Sequence, residues 1–126
     1  MTSVERIQQF GKLEQEAPEH TNLKPPAGWP SQGQIKFTDM TLTYRGQTTP
    51  ALGPISLQIL PGENIGIVGR TGSGKSSLFT SLLRMVEPSG SIEIDGVEVT
   101  KLGLTDLRTN ISVIPQVCDI HTLNEI

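Results

Sequence analysis

The stretch Gly69-Arg70-Thr71-Gly72-Ser73-Gly74-Lys75-Ser76 holds the residue types that grip phosphate, at a fixed spacing: glycine, four residues, then Gly-Lys-Ser. Glycines let a backbone curl until successive N–H groups point inward at an anion. A helix opening where the loop ends adds unpaired N–H groups and the positive end of its dipole. In that geometry Lys75 reaches the β- and γ-phosphates of a nucleoside triphosphate as a point charge. The Ser76 hydroxyl ligates Mg²⁺, and that of Ser77 donates to the α-phosphate. At ordinary residue frequencies these fixed positions coincide in roughly four per thousand chains of this length. A glycine turn that binds nothing is therefore the weaker reading.

The flanking residues have to position this loop. Before it, Asn64-Ile65-Gly66-Ile67-Val68 reads as a short buried strand of a parallel sheet. After it, Phe79, Leu82, Leu83 and Val86 recur at helical spacing, and Pro88 with Gly90 stops the pattern. Upstream, Ile35 and Phe37, then Met40, Leu42 and Tyr44, alternate with polar residues as half-buried strands do. The parity slips near Asp39, which predicts a bulge. Ile55, Leu57 and Ile59 form a further strand that ends at Pro61-Gly62.

Downstream, Ile92 and Ile94, then Val97 and Val99, flank Asp95-Gly96, a strong hairpin signal. Thr105 is placed to cap a brief helix carrying Leu107 and Arg108, and Ile111 to Ile114 reads as a last strand ended by Pro115. The expected fold class is α/β of the P-loop NTPase type, with an N-terminal antiparallel β element and an incomplete parallel core. The expected division is a helix over 1–13, a linker over 14–34 and the domain over 35–126. Thr2 and Glu5 have capping-box spacing, and Val4, Ile7 and Phe10 make one apolar stripe. Pro18, Pro25, Pro26 and Pro30 mark the linker, and Trp29 within it is expected to pin it to the domain.

Composition bounds the rest. A chain of 126 residues is one domain or part of one. Thirteen glycines and nine prolines make it rich in loops, while its periodic apolar runs exclude wholesale disorder. A net charge of −3 with no basic cluster argues against nucleic acid as a partner. No apolar run approaches the ~20 residues of a membrane span, and Met1 opens no signal peptide. The single cysteine, Cys118, fits a reducing compartment. The expectation is a chain without direct membrane insertion, cytosolic if it exists alone. Cys118 and His121 are two potential ligands, too few for a metal site.

A P-loop identifies a nucleotide, not a reaction. The base-reading Asn-Lys-x-Asp and the switch Asp-x-x-Gly of a small GTPase do not occur. A nucleoside kinase usually opens with its P-loop, whereas strands precede it here.

Gly66 to Leu78, Ile94-Asp95-Gly96, Gly103-Leu104-Thr105-Asp106-Leu107-Arg108 and Ile114-Pro115-Gln116 together resemble the nucleotide-binding domain of an ATP-binding-cassette (ABC) transporter. The subfamily is C, the multidrug-resistance-associated group, and the likeness covers nearly all of residues 3–116. The P-loop region is similar to the second of that subfamily's two nucleotide sites. Ser3-Val4-Glu5-Arg6-Ile7 resembles the end of a transmembrane-domain helix, and Pro25-Pro26 through Trp29-Pro30 the linker after it.

The resemblance implies ATP and Mg²⁺ as cofactors. It implies a site made of Tyr44, Gly69, Arg70, Thr71, Gly72, Ser73, Gly74, Lys75, Ser76, Ser77 and Gln116. Tyr44 stands where the family places an aromatic that stacks on adenine. Gln116 stands where a glutamine reaches Mg²⁺, beside Ser76, and the attacking water. The implied partners are a second nucleotide-binding domain and transmembrane domains, at the cytoplasmic face of a membrane. The implied activity is ATP-driven export of organic anions or conjugates.

The chain departs from the family after Gln116, where Val117 to Ile126 do not follow the pattern. There is no Leu-Ser-Gly-Gly-Gln signature, no four-apolar run ending in Asp-Glu, and no histidine beyond His20 and His121. The expectation is a domain truncated after the Q-loop, lacking its helical subdomain and its catalytic carboxylate. Such a chain alone is not expected to hydrolyse ATP. Two other readings stand beside it: a non-hydrolysing module that pairs with an intact cassette, and a small P-loop kinase or other NTPase.

Overall fold

The computed structural model describes residues 2–114. The first helix, α1 (Ser3–Gly11), starts at a complete capping box. The Thr2 amide donates to Glu5 Oε2 at 2.7 Å while the Glu5 amide donates to Thr2 Oγ1 at 3.4 Å. None of its residues is buried, and Val4, Ile7 and Phe10 face outward.

Four strands follow: β1 (Ile35–Leu42), β2 (Leu52–Ile59), β3 (Ser89–Ile94) and β4 (Val97–Glu98). They make one sheet in the order β2-β1-β3-β4, with every pairing antiparallel. In β1, Ile35 to Leu42 is one continuous strand, and its register shifts between Phe37 and Met40, around Asp39 at φ 46°. The extra residue returns Met40 and Leu42 to the buried face of Phe37, which explains the slip in parity. Ser56 clips the bulge, its Oγ accepting from the Asp39 amide and donating to Asp39 Oδ1, both at 3.0 Å. Pro54 fits β2 because that strand lies at the sheet's edge.

The core joins Phe37, Met40, Ile92 and Ile94 of the sheet to Trp29, Val99, Leu102 and Leu107. Val99 to Lys101 form a 3₁₀ turn, and α3 (Leu104–Arg108) buries Leu104 and Leu107. The remaining helix, α2 (Lys75–Leu82), sets Leu78 and Leu82 against this core and buries Ser77 and Ser81. The expected stripe of Phe79, Leu82, Leu83 and Val86 is therefore rotated, and Phe79 lies half exposed.

The helix also ends earlier than Pro88 and Gly90 predict. Arg84 takes φ 51°, its amide donating to the Ser81 carbonyl and that of Met85 to the Thr80 carbonyl. This is a Schellman closure with arginine where glycine is usual.

The parallel core is a second correction. Among the described residues, neither Asn64 to Val68 nor Ile111 to Ile114 forms a strand, and Val68 and Ile114 are exposed. A strand needs a ladder partner as well as an apolar sequence, and no described segment pairs with either run. A third concerns α3. Thr105 lies inside that helix rather than capping it, and the Leu104 and Thr105 amides donate to the carbonyls of Pro18 and Glu19. Gly103 permits the approach, since a Cβ there would collide with the Glu19 carbonyl.

The segment 14–34 is thus fastened along its length. Glu16 pairs with Arg108, Lys24 with Asp106, and Thr21 Oγ1 donates to the Lys101 carbonyl at 3.0 Å. Trp29 is buried and donates its indole N–H to the Ile94 carbonyl at 2.9 Å, which is the pinning role expected of it. Asp95 opens the β3–β4 turn with Gly96, both at positive φ. Its carboxylate accepts the amides of Ser31, Gln32 and Gly33 on Oδ2 and that of Gln34 on Oδ1, at 2.7 to 3.1 Å.

The Gln32 amide chiefly, with those of Gln34, Gly33 and Ser31, holds the Asp95 carboxyl below its ordinary 3.8 against the opposing cost of desolvation. A depressed carboxyl stabilises the fold above its unfolded pKa, and the contribution disappears as pH falls through the lower folded value. Hydrogen exchange at amides 31–34 is therefore expected to accelerate, relative to the core strands, as pH drops below about 4. Asp95→Asn is expected to show that loosening already at neutral pH. Equal protection in the variant and the unmodified chain at pH 7 refutes the assignment.

Candidate functional site

The loop from Gly69 to Gly74 runs straight into α2, with Gly74 as N-cap in the left-handed region at φ 91°. A Cβ on Gly74 would lie 2.9 Å from Leu52 Cδ1 and 3.1 Å from the Ala51 carbonyl oxygen. Glycine there lets the start of β2 touch the loop, which brings the β1–β2 connection to the helix N-terminus. The first α2 bond runs from the Leu78 amide to the Gly74 carbonyl. The amides of Lys75, Ser76 and Ser77 therefore have no partner within the helix.

Lys75 bends back over the loop. Its Nζ donates to the Gly69 carbonyl at 2.6 Å and to the Arg70 carbonyl at 2.7 Å. An ammonium has three hydrogens, so this cradle fixes the charge at the loop's mouth and leaves one donor to aim outward. The Ser73 amide closes the turn on the Arg70 carbonyl at 3.1 Å.

Thr71, Gly72, Gly74, Lys75, Ser76 and Ser77 line an open cleft of about 460 Å³ together with Tyr44, Gln47 and Ala51. The structure thus brings Tyr44 to the loop across 33 residues of chain, its phenol oxygen 3.0 Å from Ser77 Oγ. Gly69, Arg70 and Ser73 belong to the loop but do not line the cleft, and Gly69 and Arg70 serve Lys75 through their carbonyls. Gln116 lies outside the described residues.

Gln47 and Ala51 escaped the sequence reading. A signal for them existed, since any short connection after Tyr44 must share the wall that Tyr44 lines, and the Gln47 amide does bond the Tyr44 carbonyl at 3.0 Å. Among the described residues no group of three or more His, Cys, Asp or Glu side chains could hold a metal ion. No helix among them is long and apolar enough to cross a membrane.

A glycine-rich loop feeding a helix N-terminus, with its lysine at the mouth and a tyrosine from the β1–β2 connection alongside, has the arrangement of a nucleotide-binding domain. A family model described as ABC transporter matches residues 52–125, and the chain belongs to that family.

Similar proteins include ABC transporter C family member 8 of Dictyostelium discoideum, 49% identical over 92% of this chain and 7% of that protein. The vacuolar heme ABC transmembrane exporter abc3 of Schizosaccharomyces pombe is 47% identical over 97% of this chain and 8% of its own length. Metal resistance protein YCF1 of Saccharomyces cerevisiae is 48% identical over 92% and 8%. The chain thus spans 7 to 8% of the length of these relatives. Its fold matches a bacterial Atm1-family ABC exporter solved with ATP bound, at a TM-score of 0.76 and 24% identity, over 90% of this chain and 20% of that one.

Proposed function

We propose that this chain binds Mg-ATP as the front portion of the second nucleotide-binding domain of a C-subfamily exporter. The observation that carries the reading is the one cleft in which Tyr44 meets Thr71, Gly72 and Gly74 to Ser77. The loop and first-turn amides and the Lys75 ammonium suit phosphate oxygens, and the Tyr44 ring suits a base. The Ser76 hydroxyl is a hard oxygen donor of the kind Mg²⁺ takes alongside phosphate oxygens, and Gln116 is the second proposed ligand. Held there, Mg²⁺ would supply positive charge against the phosphate oxygens. The chain's own part is to seat the phosphates against Gly72, Gly74 and Lys75 and to keep Ser76 at the metal's position.

In this reading residues 1–13 end a transmembrane-domain helix, 14–34 are the linker, and 35–126 are a partial nucleotide-binding domain. It works with a second such domain and with transmembrane domains at the cytoplasmic face of a membrane. The parent activity is ATP-driven export. Organic anions and conjugates are the proposed cargo, with the names of the yeast relatives pointing also to heme and metal. Among the described residues lining the cleft there is no carboxylate, so the proposal is of binding and not of hydrolysis.

Equilibrium titration of the 126-residue chain with a fluorescent ATP analogue and Mg²⁺ tests the reading. Saturable binding that unlabelled ATP displaces is expected. A signal that ATP does not displace refutes it.

A further inference from the structure

Ser77 and Ser76 are neighbours with different surroundings: Ser77 is buried, at 7% exposed, while Ser76 is open to solvent. The buried hydroxyl lies 3.0 Å from the Tyr44 phenol oxygen, and both residues line the cleft that holds Lys75. A serine hydroxyl has one hydrogen to give and two lone pairs to accept with, and a phenol also gives one hydrogen. If Ser77 gives its hydrogen to an anion in the cleft, it can meet Tyr44 only as an acceptor. The phenol then has to be the donor.

We propose that Tyr44 and Ser77 form a hydrogen-bond relay, Tyr44 O–H to Ser77 Oγ–H to a phosphate oxygen of the nucleotide. Tyr44 is then a positioning residue for the phosphates, acting through Ser77, besides presenting its ring to a base. The inference rests on the nucleotide-binding reading above. Two effects follow from the geometry. Accepting from the phenol polarises the Ser77 hydroxyl and makes it a better donor. The same bond holds the phenol at the first turn of α2, so the ring and the phosphate grip share one register.

Stacking and relay make different demands on one substitution. Phenylalanine keeps the ring face and removes the donor, so a tyrosine that only stacks tolerates Tyr44→Phe. Inorganic tripolyphosphate separates the two roles because it has no base.

The experiment is calorimetric titration of ATP and of tripolyphosphate, each with Mg²⁺, into the full chain, Tyr44→Phe, Ser77→Ala and the double variant. Tyr44→Phe is expected to weaken both ligands by about 3- to 10-fold, and Ser77→Ala by at least as much. The double variant is expected to be no weaker than Ser77→Ala alone, the mark of two groups acting as one unit. A Tyr44–Ser77 bond that only supports the fold is present with and without ligand and leaves affinity unmoved.

Tyr44→Phe binding tripolyphosphate as tightly as the unmodified chain overturns the relay while the nucleotide reading stands. So does a Tyr44→Phe effect that persists in full in the Ser77→Ala background. Failure of the unmodified chain to bind either ligand overturns both proposals.

Discussion

Lys75→Ala is expected to weaken Mg-ATP binding by about 30- to 1,000-fold, the cost of about 2–4 kcal/mol that follows when one partner of a close charge pair is truncated. The thermal midpoint should move by less than about 2 °C. The contrast follows from where the ammonium sits. Among the described residues it bonds the Gly69 and Arg70 carbonyls, whose residues are exposed, so water takes over both bonds when the side chain is cut back. With nucleotide the same group faces concentrated negative charge inside the cleft, where no water molecule substitutes for a cation. Lys75→Arg should recover only part of the affinity, because a planar fork does not sit where a compact ammonium does. The check is the same titration run beside a thermal melt. A Lys75→Ala chain that binds ATP within threefold of the unmodified one would falsify the site.

Arg84 commands the largest stability effect. The residue is 6% exposed, and its Nη1 donates to the carbonyls of Val99 at 3.0 Å and Leu102 at 2.7 Å. The flanks of those carbonyls are the fully buried Val99 and Leu102 side chains. The rest of the guanidinium engages Glu87, with Nη2 at 2.8 Å from Oε1. Arg84 thereby ties the end of α2 to the 3₁₀ turn below the sheet. Arg84→Met takes from the Leu102 carbonyl its partner among the described residues and leaves the Val99 carbonyl only the Leu102 amide, in a dry region, at about 2–4 kcal/mol in all. For a domain this small that corresponds to a midpoint lower by roughly 10–20 °C. Arg84→Gly should cost about 1 kcal/mol less than Arg84→Ala, because glycine relieves the left-handed backbone at φ 51° while both lose the side chain. Thermal melts of the three variants decide this, and an Arg84→Met chain melting within about 3 °C of the unmodified one removes the argument.

What could be read in advance was local or periodic. The phosphate loop is contiguous because its chemistry needs neighbouring amides, so it stands out as a string. The bulge at Asp39 showed as a parity error along β1, and the Asp95-Gly96 turn as a dipeptide that accepts positive φ. The features that escaped depend on partners distant in the chain. α3 takes its cap from Pro18 and Glu19, and nothing around Thr105 announces it. Asn64 to Val68 has a strand's composition without a neighbouring ladder among the described residues. Arg84 reads as a surface arginine until the carbonyls it serves are known. Within the candidate cleft, the loop stood out by its spacing and Tyr44 came only from the family resemblance, while their meeting through Ser77 was not legible, since a hydroxyl's partner is set by tertiary packing.

The fastening of residues 14–34 has a consequence for synthesis on the ribosome. Trp29 waits for a carbonyl 65 residues further along, and Glu16 for a guanidinium 92 residues further along. At about 5–20 residues per second, Trp29 is made roughly 3 to 13 s before its acceptor exists. During that interval the indole and the amides of Ser31 to Gln34 have no native partner to join. Residues 16–34 are therefore translated well before they can reach their final place, and a chaperone that shields aromatic side chains has an opportunity at Trp29 in that interval.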